Sequence, residues 1–162
     1  VAHLRETIAT SLPVEKAFAF VADFANASQW DPGVAWSERL DDGPLAVGAR
    51  YRLGVRMAGR VAPMEYQVTH LEASRRVVLA GRGRGVAAVD DITFSPTETG
   101  SQVEYSADIR LTGLFRLLEP LAGGAFARLA RHAREGMQRR LDELADDLEG
   151  SHPEDGASGQ AA

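Results

Sequence analysis

The stretch Ala49-Arg50-Tyr51-Arg52-Leu53-Gly54-Val55-Arg56-Met57 alternates without a break. Tyr51, Leu53, Val55 and Met57 fall on one side of an extended chain; Arg50, Arg52, Gly54 and Arg56 fall on the other. Successive strand side chains point to opposite faces, so this period of two predicts a strand with one apolar and one wet face. The pattern continues on both sides. Residues 34–40 read as a strand ending in the turn Asp41-Asp42-Gly43-Pro44, and Ala58-Gly59 is a short hairpin turn. In 61–70, Met64, Tyr66 and Val68 alternate with Glu65, Gln67 and Thr69. Residues 75–80 form another strand. In 86–94, Val86, Ala88, Ile92 and Phe94 share a face with Asp90, and in 102–111 the shared face is Val103, Tyr105, Ala107, Ile109 and Leu111. Strands joined by short turns must pair antiparallel, so 34–111 is a meander of six strands.

The flanks are different. Residues 4–10 have the β-branched content of a seventh strand. Pro13 sits where a helix starts, Glu15 follows in its first turn, and Val14, Ala17, Phe18 and Val21 make an apolar stripe, which predicts a helix over 14–23. A second short helix covers 24–29 and stops at Trp30-Asp31-Pro32-Gly33, because Pro32 disfavours a helical Asp31. After the sheet, 114–121 reads as a short apolar helix broken at Pro120 and Gly123-Gly124. Phe126, Leu129, Ala133, Met137, Leu141, Leu144 and Leu148 then recur at helical spacing, with Arg128, Arg131, Arg134, Arg139 and Arg140 opposite. The domain spans 1–149, and 150–162 reads as a disordered tail.

This order, β–α–α–β6–α, is an α+β class with one economical packing. A seven-stranded curved antiparallel sheet must cover its apolar face, and one long C-terminal helix is available to do so. A twisted sheet curls around that helix. The two short helices plug one end, and a concave apolar space is expected at the other.

Composition removes several functions. The chain has 162 residues, enough for one core, and no cysteine, so disulfides and thiolate chemistry are excluded. A net charge of −5 is a poor match for phosphate backbones, and no nucleic-acid partner is expected. No apolar leader and no run of ~20 apolar residues is visible, so a cytoplasmic location is expected. His3, His70, His132 and His152 fall in no metal-ligand spacing, and neither metal nor cofactor is expected. Gly81-Arg82-Gly83-Arg84-Gly85 is GxGxG and opens no helix, so it reads as a hairpin connection that can rim a pocket. No GxSxG elbow occurs.

The stretches Pro13–Phe18 through Asp23 to Trp30-Asp31-Pro32, then Val47-Gly48, Val86–Phe94 and Gly113-Leu114, taken in order over roughly residues 3–148, resemble the SRPBCC superfamily of START-like proteins. Within it the chain is similar to the polyketide cyclase/dehydrase and lipid-transport family. The resemblance implies the helix-grip fold and a ligand cavity. It does not imply one activity, because members include lipid carriers, aromatic cyclases and hormone receptors.

With the apolar faces turned inward, Trp36, Tyr51, Leu53, Val55, Met64, Tyr66, Val68, Asp90, Tyr105, Leu129, Ala133 and Met137 are the expected pocket lining. Asp90 lies mid-strand on an apolar face. It is an orienting acceptor or general acid/base for a ligand hydroxyl or enol, a carboxylate satisfied by a tyrosine or by backbone amides, or one that a bulge turns outward. Tyr66 and His70, which share one strand parity, complete the candidate catalytic set; a lone histidine at a strand end is equally a structural residue. The apolar piece Leu114, Phe115, Leu117, Leu118 and Leu121 is either a lid that admits ligand and touches a membrane or partner transiently, or a kink packed over the sheet edge. Two functions follow: a carrier of a small hydrophobic or aromatic molecule (a lipid, polyketide or isoprenoid), or a cyclase/dehydratase using pocket acid–base groups.

Overall fold

A computed structural model describes residues 1–151, except for the side chains of 121–123. Most of the expected tail, 152–162, lies outside the described residues. The strands are β1 (Ala2–Thr10), β2 (Val34–Arg39), β3 (Arg50–Met57), β4 (Arg60–Glu72), β5 (Arg76–Gly83), β6 (Val86–Thr97) and β7 (Gly100–Leu111). They form one antiparallel sheet in the order β1-β7-β6-β5-β4-β3-β2. The meander is as its short turns dictate, and β1 closes the edge beside β7, with Ile8 opposite Val103. The sheet curves into a half-barrel around the long C-terminal helix, the helix-grip arrangement.

Helix α1 (Val14–Val21) turns Val14, Ala17 and Val21 inward at one end of the half-barrel. Phe18 meets Phe94 of β6 edge-on at 5.2 Å. A 3₁₀ turn (Phe24–Asn26), capped by Asp23 through the Ala25 amide, leads into α2 (Ala27–Trp30). Helix α3 (Glu119–Gly150) lies across the concave face. It comes close to α2 because position 136 is glycine: a methyl group there would sit 2.1 Å from the Trp30 carbonyl oxygen. Met137, Leu141 and Ala145 are buried beneath it.

Two features depart from expectation. The helix is not broken at Pro120–Gly124. Pro120 occupies its first turn, where no intrahelical amide partner is required. Gly123-Gly124 cost about 1 kcal/mol each relative to alanine, which a 32-residue helix absorbs. The discontinuity lies before Glu119, where Gly113–Leu118 forms a 3₁₀ helix. Secondly, β2 and β4 each contain a bulge. Val34 pairs with Val55 but Trp36 with Gly54, and Val68 pairs with Leu79 but His70 with Val78. An extra residue, Ala35 or Thr69, reverses the parity of everything after it.

Candidate functional site

The end of the half-barrel away from α1 is hollow. The strands reach it with β3's Val55 and Met57, β4's Met64, β6's Val86 and Ala88, and β7's Ile109; α3 closes it with Phe126, Leu129, Ala130 and Ala133. The cavity has a volume of about 90 Å³. It is small because large side chains enter from the plug: Phe24, Trp30 and Val34 line it too. Trp30 packs edge-on to Tyr105 at 6.0 Å, and Phe24 meets Tyr66 at 5.4 Å.

A polar cluster is set into this apolar wall. Asp90 is 4% exposed on β6, and one of its oxygens, Oδ1, accepts a hydrogen bond from the Tyr105 hydroxyl across the β6–β7 pair. Its Oδ2 is buried and takes no hydrogen bond from the protein. Asp31, at the end of α2, faces the same cavity, and its Oδ1 accepts from the Gly33 amide at 2.7 Å. Tyr66 completes the group. It lies over Gly81 of β5, where a methyl group would fall 2.4 Å from its ring. No lysine or arginine lines the cavity among the described residues.

Burial decides the electrostatics. Desolvation pushes the Asp90 carboxyl up to about 7, against the Tyr105 hydrogen bond that lowers it; the Asp31 charge adds to the rise. Desolvation also raises Asp31 to about 6, opposed by the Gly33 amide. Tyr66 and Tyr105 are held well above their ordinary range by burial and by the Asp90 charge, so both hydroxyls stay protonated donors. Burial thus moves both carboxyls up towards neutral pH, beside two protonated phenols.

The expected lining residues separate into three groups. Leu53, Val55, Met64, Tyr66, Asp90, Tyr105, Leu129 and Ala133 line the cavity. Tyr51, Val68 and Met137 are buried but belong to the packed core; burial and the Asp23 charge raise the Tyr51 hydroxyl. Trp36 and His70 lie outside. Trp36 is 41% exposed and covers Gly54 from the outer face, the bulge at Ala35 having turned it out. The bulge at Thr69 does the same to His70, whose Nε2 lies 2.7 Å from Glu72 Oε1 in solvent. Strand alternation does not point to Asp31. Its residue type beside Pro32 and Gly33 is fully explained by a turn, and the Asx-type bond to Gly33 is that turn; only the tertiary fold brings it to the cavity.

The family model for polyketide cyclase/dehydrase and lipid transport matches residues 1–149. The chain belongs to that family. This member is similar in fold to a protein from Thermus thermophilus, with a TM-score of 0.69 at 16% identity over 93% of this chain and 99% of the other. A START superfamily protein from Mycobacterium smegmatis aligns with TM-score 0.65 and 17% identity, covering 89% and 99% of the two chains. The Zhui aromatase/cyclase from Streptomyces sp. R1128 aligns with TM-score 0.59 and 18% identity, covering 91% and 87%. No curated protein sequence matches. No helix among the described residues is long and apolar enough to cross a membrane.

Proposed function

We infer that this family member binds a small hydrophobic or aromatic molecule carrying a hydroxyl, holding its ring in the cavity and its polar group against Asp90. The observation that carries this reading is the Asp90 carboxyl, whose residue lines an apolar cavity and whose buried Oδ2 has no protein donor. A buried acceptor without a donor costs about 1–3 kcal/mol, and a ligand hydroxyl recovers it. The apolar wall supplies the rest, at ~25 cal/mol per Å² removed from water. At about 90 Å³ the space is smaller than the engineered ~150 Å³ cavity that takes one benzene, and well below the ~300–1,000 Å³ of drug-sized sites. Even a single-ring guest therefore requires Gly113–Leu118 and the first turns of α3 to move outward, and a lipid or polycyclic guest requires more; the 3₁₀ helix buries none of its own residues.

The test is fluorine NMR with para-fluorophenol and fluorobenzene, alongside native mass spectrometry for a co-purified guest. The phenol should bind about tenfold more tightly, and Asp90→Asn should narrow that preference while leaving fluorobenzene binding intact. Equal binding of both probes, or of neither, contradicts the reading.

A second reading rests on the pairing of Asp31 and Asp90. Two carboxyl groups in one cavity, raised by burial to about 6 and about 7, are suited to exchange protons with a substrate near neutral pH. Asp90 as carboxylate would take a proton from carbon beside a carbonyl, and a protonated carboxyl would deliver one to a departing hydroxyl, the chemistry of ring closure with water loss. Asp90→Asn separates the two functions: a carrier still binds, losing no more than its preference for the hydroxyl, whereas a cyclase loses turnover.

A further inference from the structure

The hollow end of the molecule also carries a distinctive outer surface. On the 3₁₀ helix Gly113–Leu118, Leu114 is 86% exposed and Leu117 80%, with Phe115 and Leu118 half exposed beside them. Scattered exposed leucines are ordinary, but a contiguous cluster marks an interaction surface. The segment is fixed to the β5–β6 turn. The Thr112 amide donates to the Gly85 carbonyl at 2.9 Å, and the Phe115 ring lies where a methyl group on Gly85 would be, 2.3 Å away.

Arg84 lies in that turn and Arg82 at the adjoining end of β5, and Arg116 lies within the 3₁₀ helix itself. Because Met64 pairs with Gly83, the β3–β4 hairpin projects at the same end and adds Arg56 and Arg60. All five are exposed, and none forms a salt bridge with a described residue. The chain nevertheless has a net charge of −5. The acidic surplus lies elsewhere, with Asp142, Glu143, Asp146, Asp147 and Glu149 on the last turns of α3. Such segregation orients a molecule towards a surface of opposite sign.

We propose that this end docks on an anionic lipid bilayer, with Leu114 and Leu117 entering the headgroup boundary and the hairpin arginines lying against lipid phosphates. Leucines flanked by cations fit that interface, where apolar burial and attraction to anionic lipid add. Nucleic acid would leave the leucines without a use. A second copy across a two-fold axis would bring the same arginines face to face. Docking is independent of what the cavity holds, and it places the hollow end of the half-barrel against the bilayer.

The experiment is sedimentation of the full chain with phosphatidylcholine vesicles, with and without phosphatidylserine. The protein should partition onto the mixed vesicles, bind little to phosphatidylcholine alone, and be released as salt rises. Leu114→Glu with Leu117→Glu should weaken partitioning about tenfold or more without changing the unfolding temperature, since both side chains are already in water. Arg84→Glu with Arg116→Glu should weaken it in a manner that fades at high salt. No partitioning, partitioning indifferent to phosphatidylserine, or partitioning unaffected by the leucine changes would overturn the proposal. So would lipid-free self-association that the same leucine changes abolish, which assigns the face to a second copy. Para-fluorophenol binding by these variants distinguishes loss of docking from loss of the cavity.

Discussion

The two ends of the half-barrel follow one alternating pattern and are filled in opposite ways. At the α1 end, Phe18, Phe94, Val77, Val103, Leu141 and Ala145 meet with little space between them. At the other end four alanines (Ala27, Ala88, Ala130 and Ala133) and two carboxylates stand among the larger inward side chains. Alanine leaves room, and a carboxylate cannot be overlaid by apolar side chains without a donor. A hollow thus arises from residue size and polarity at a few inward positions, on a backbone that is otherwise the same.

Truncation should separate the two ends most strongly. Leu141→Ala, at a site with no solvent exposure, should cost about 2–5 kcal/mol in urea unfolding because the packed neighbours cannot collapse into the gap. Leu129→Ala, half-buried on the cavity wall, should cost less than that and increase para-fluorophenol binding. Equal costs at both sites would show that the ends are packed alike.

The charge state of the hollow end provides the next contrast. The Asp90 pKa is raised in the fold to about 7 from about 3.9 in the unfolded chain, and Asp31 is raised to about 6. The folded state then holds more protons than the unfolded state between roughly pH 4 and 7. Stability is full below that window and falls as pH rises through it, with a slope approaching about 1.4 kcal/mol per pH unit for Asp90 alone. Asp90→Asn should remove that part of the slope and leave the smaller part due to Asp31. Urea unfolding from pH 4 to 8 measures it, and an unchanged slope would place Asp90 in water.

Much of the fold can be read from the chain because β3, β6 and β7 keep their parity from end to end. Their inward faces, including Asp90 and Tyr105, follow from alternation alone. Parity fails where the ladder gains a residue. A bulge leaves no mark on a pattern of two beyond a phase change, and neither Ala35 nor Thr69 announces one, so alternation puts Trp36 and His70 on the wrong face. Asp31 is hidden for a different reason, since a local turn accounts for it completely. Helix α3 reads as interrupted at Pro120 because proline is a breaker inside a helix, yet it is none in the first turn, where the structure places it. The total charge of −5 conceals the basic end, which only the pairing of the hairpins assembles.

The smallest expected effects lie on the outer face and sharpen the same comparison. His70→Ala should change stability by about 0.5 kcal/mol or less, Trp36→Ala by about 1–2 kcal/mol for the area it covers over Gly54, and both should leave probe binding as it is. A loss of binding in either would return that residue to the cavity side.

The most direct measurement fills the hollow. Ala133 faces the cavity from α3 and is 4% exposed. In Ala133→Phe the new ring should occupy the cavity, and fluorine NMR should show para-fluorophenol binding abolished while urea unfolding stays cooperative. Undiminished binding by a folded Ala133→Phe protein would mean that the guest site lies elsewhere.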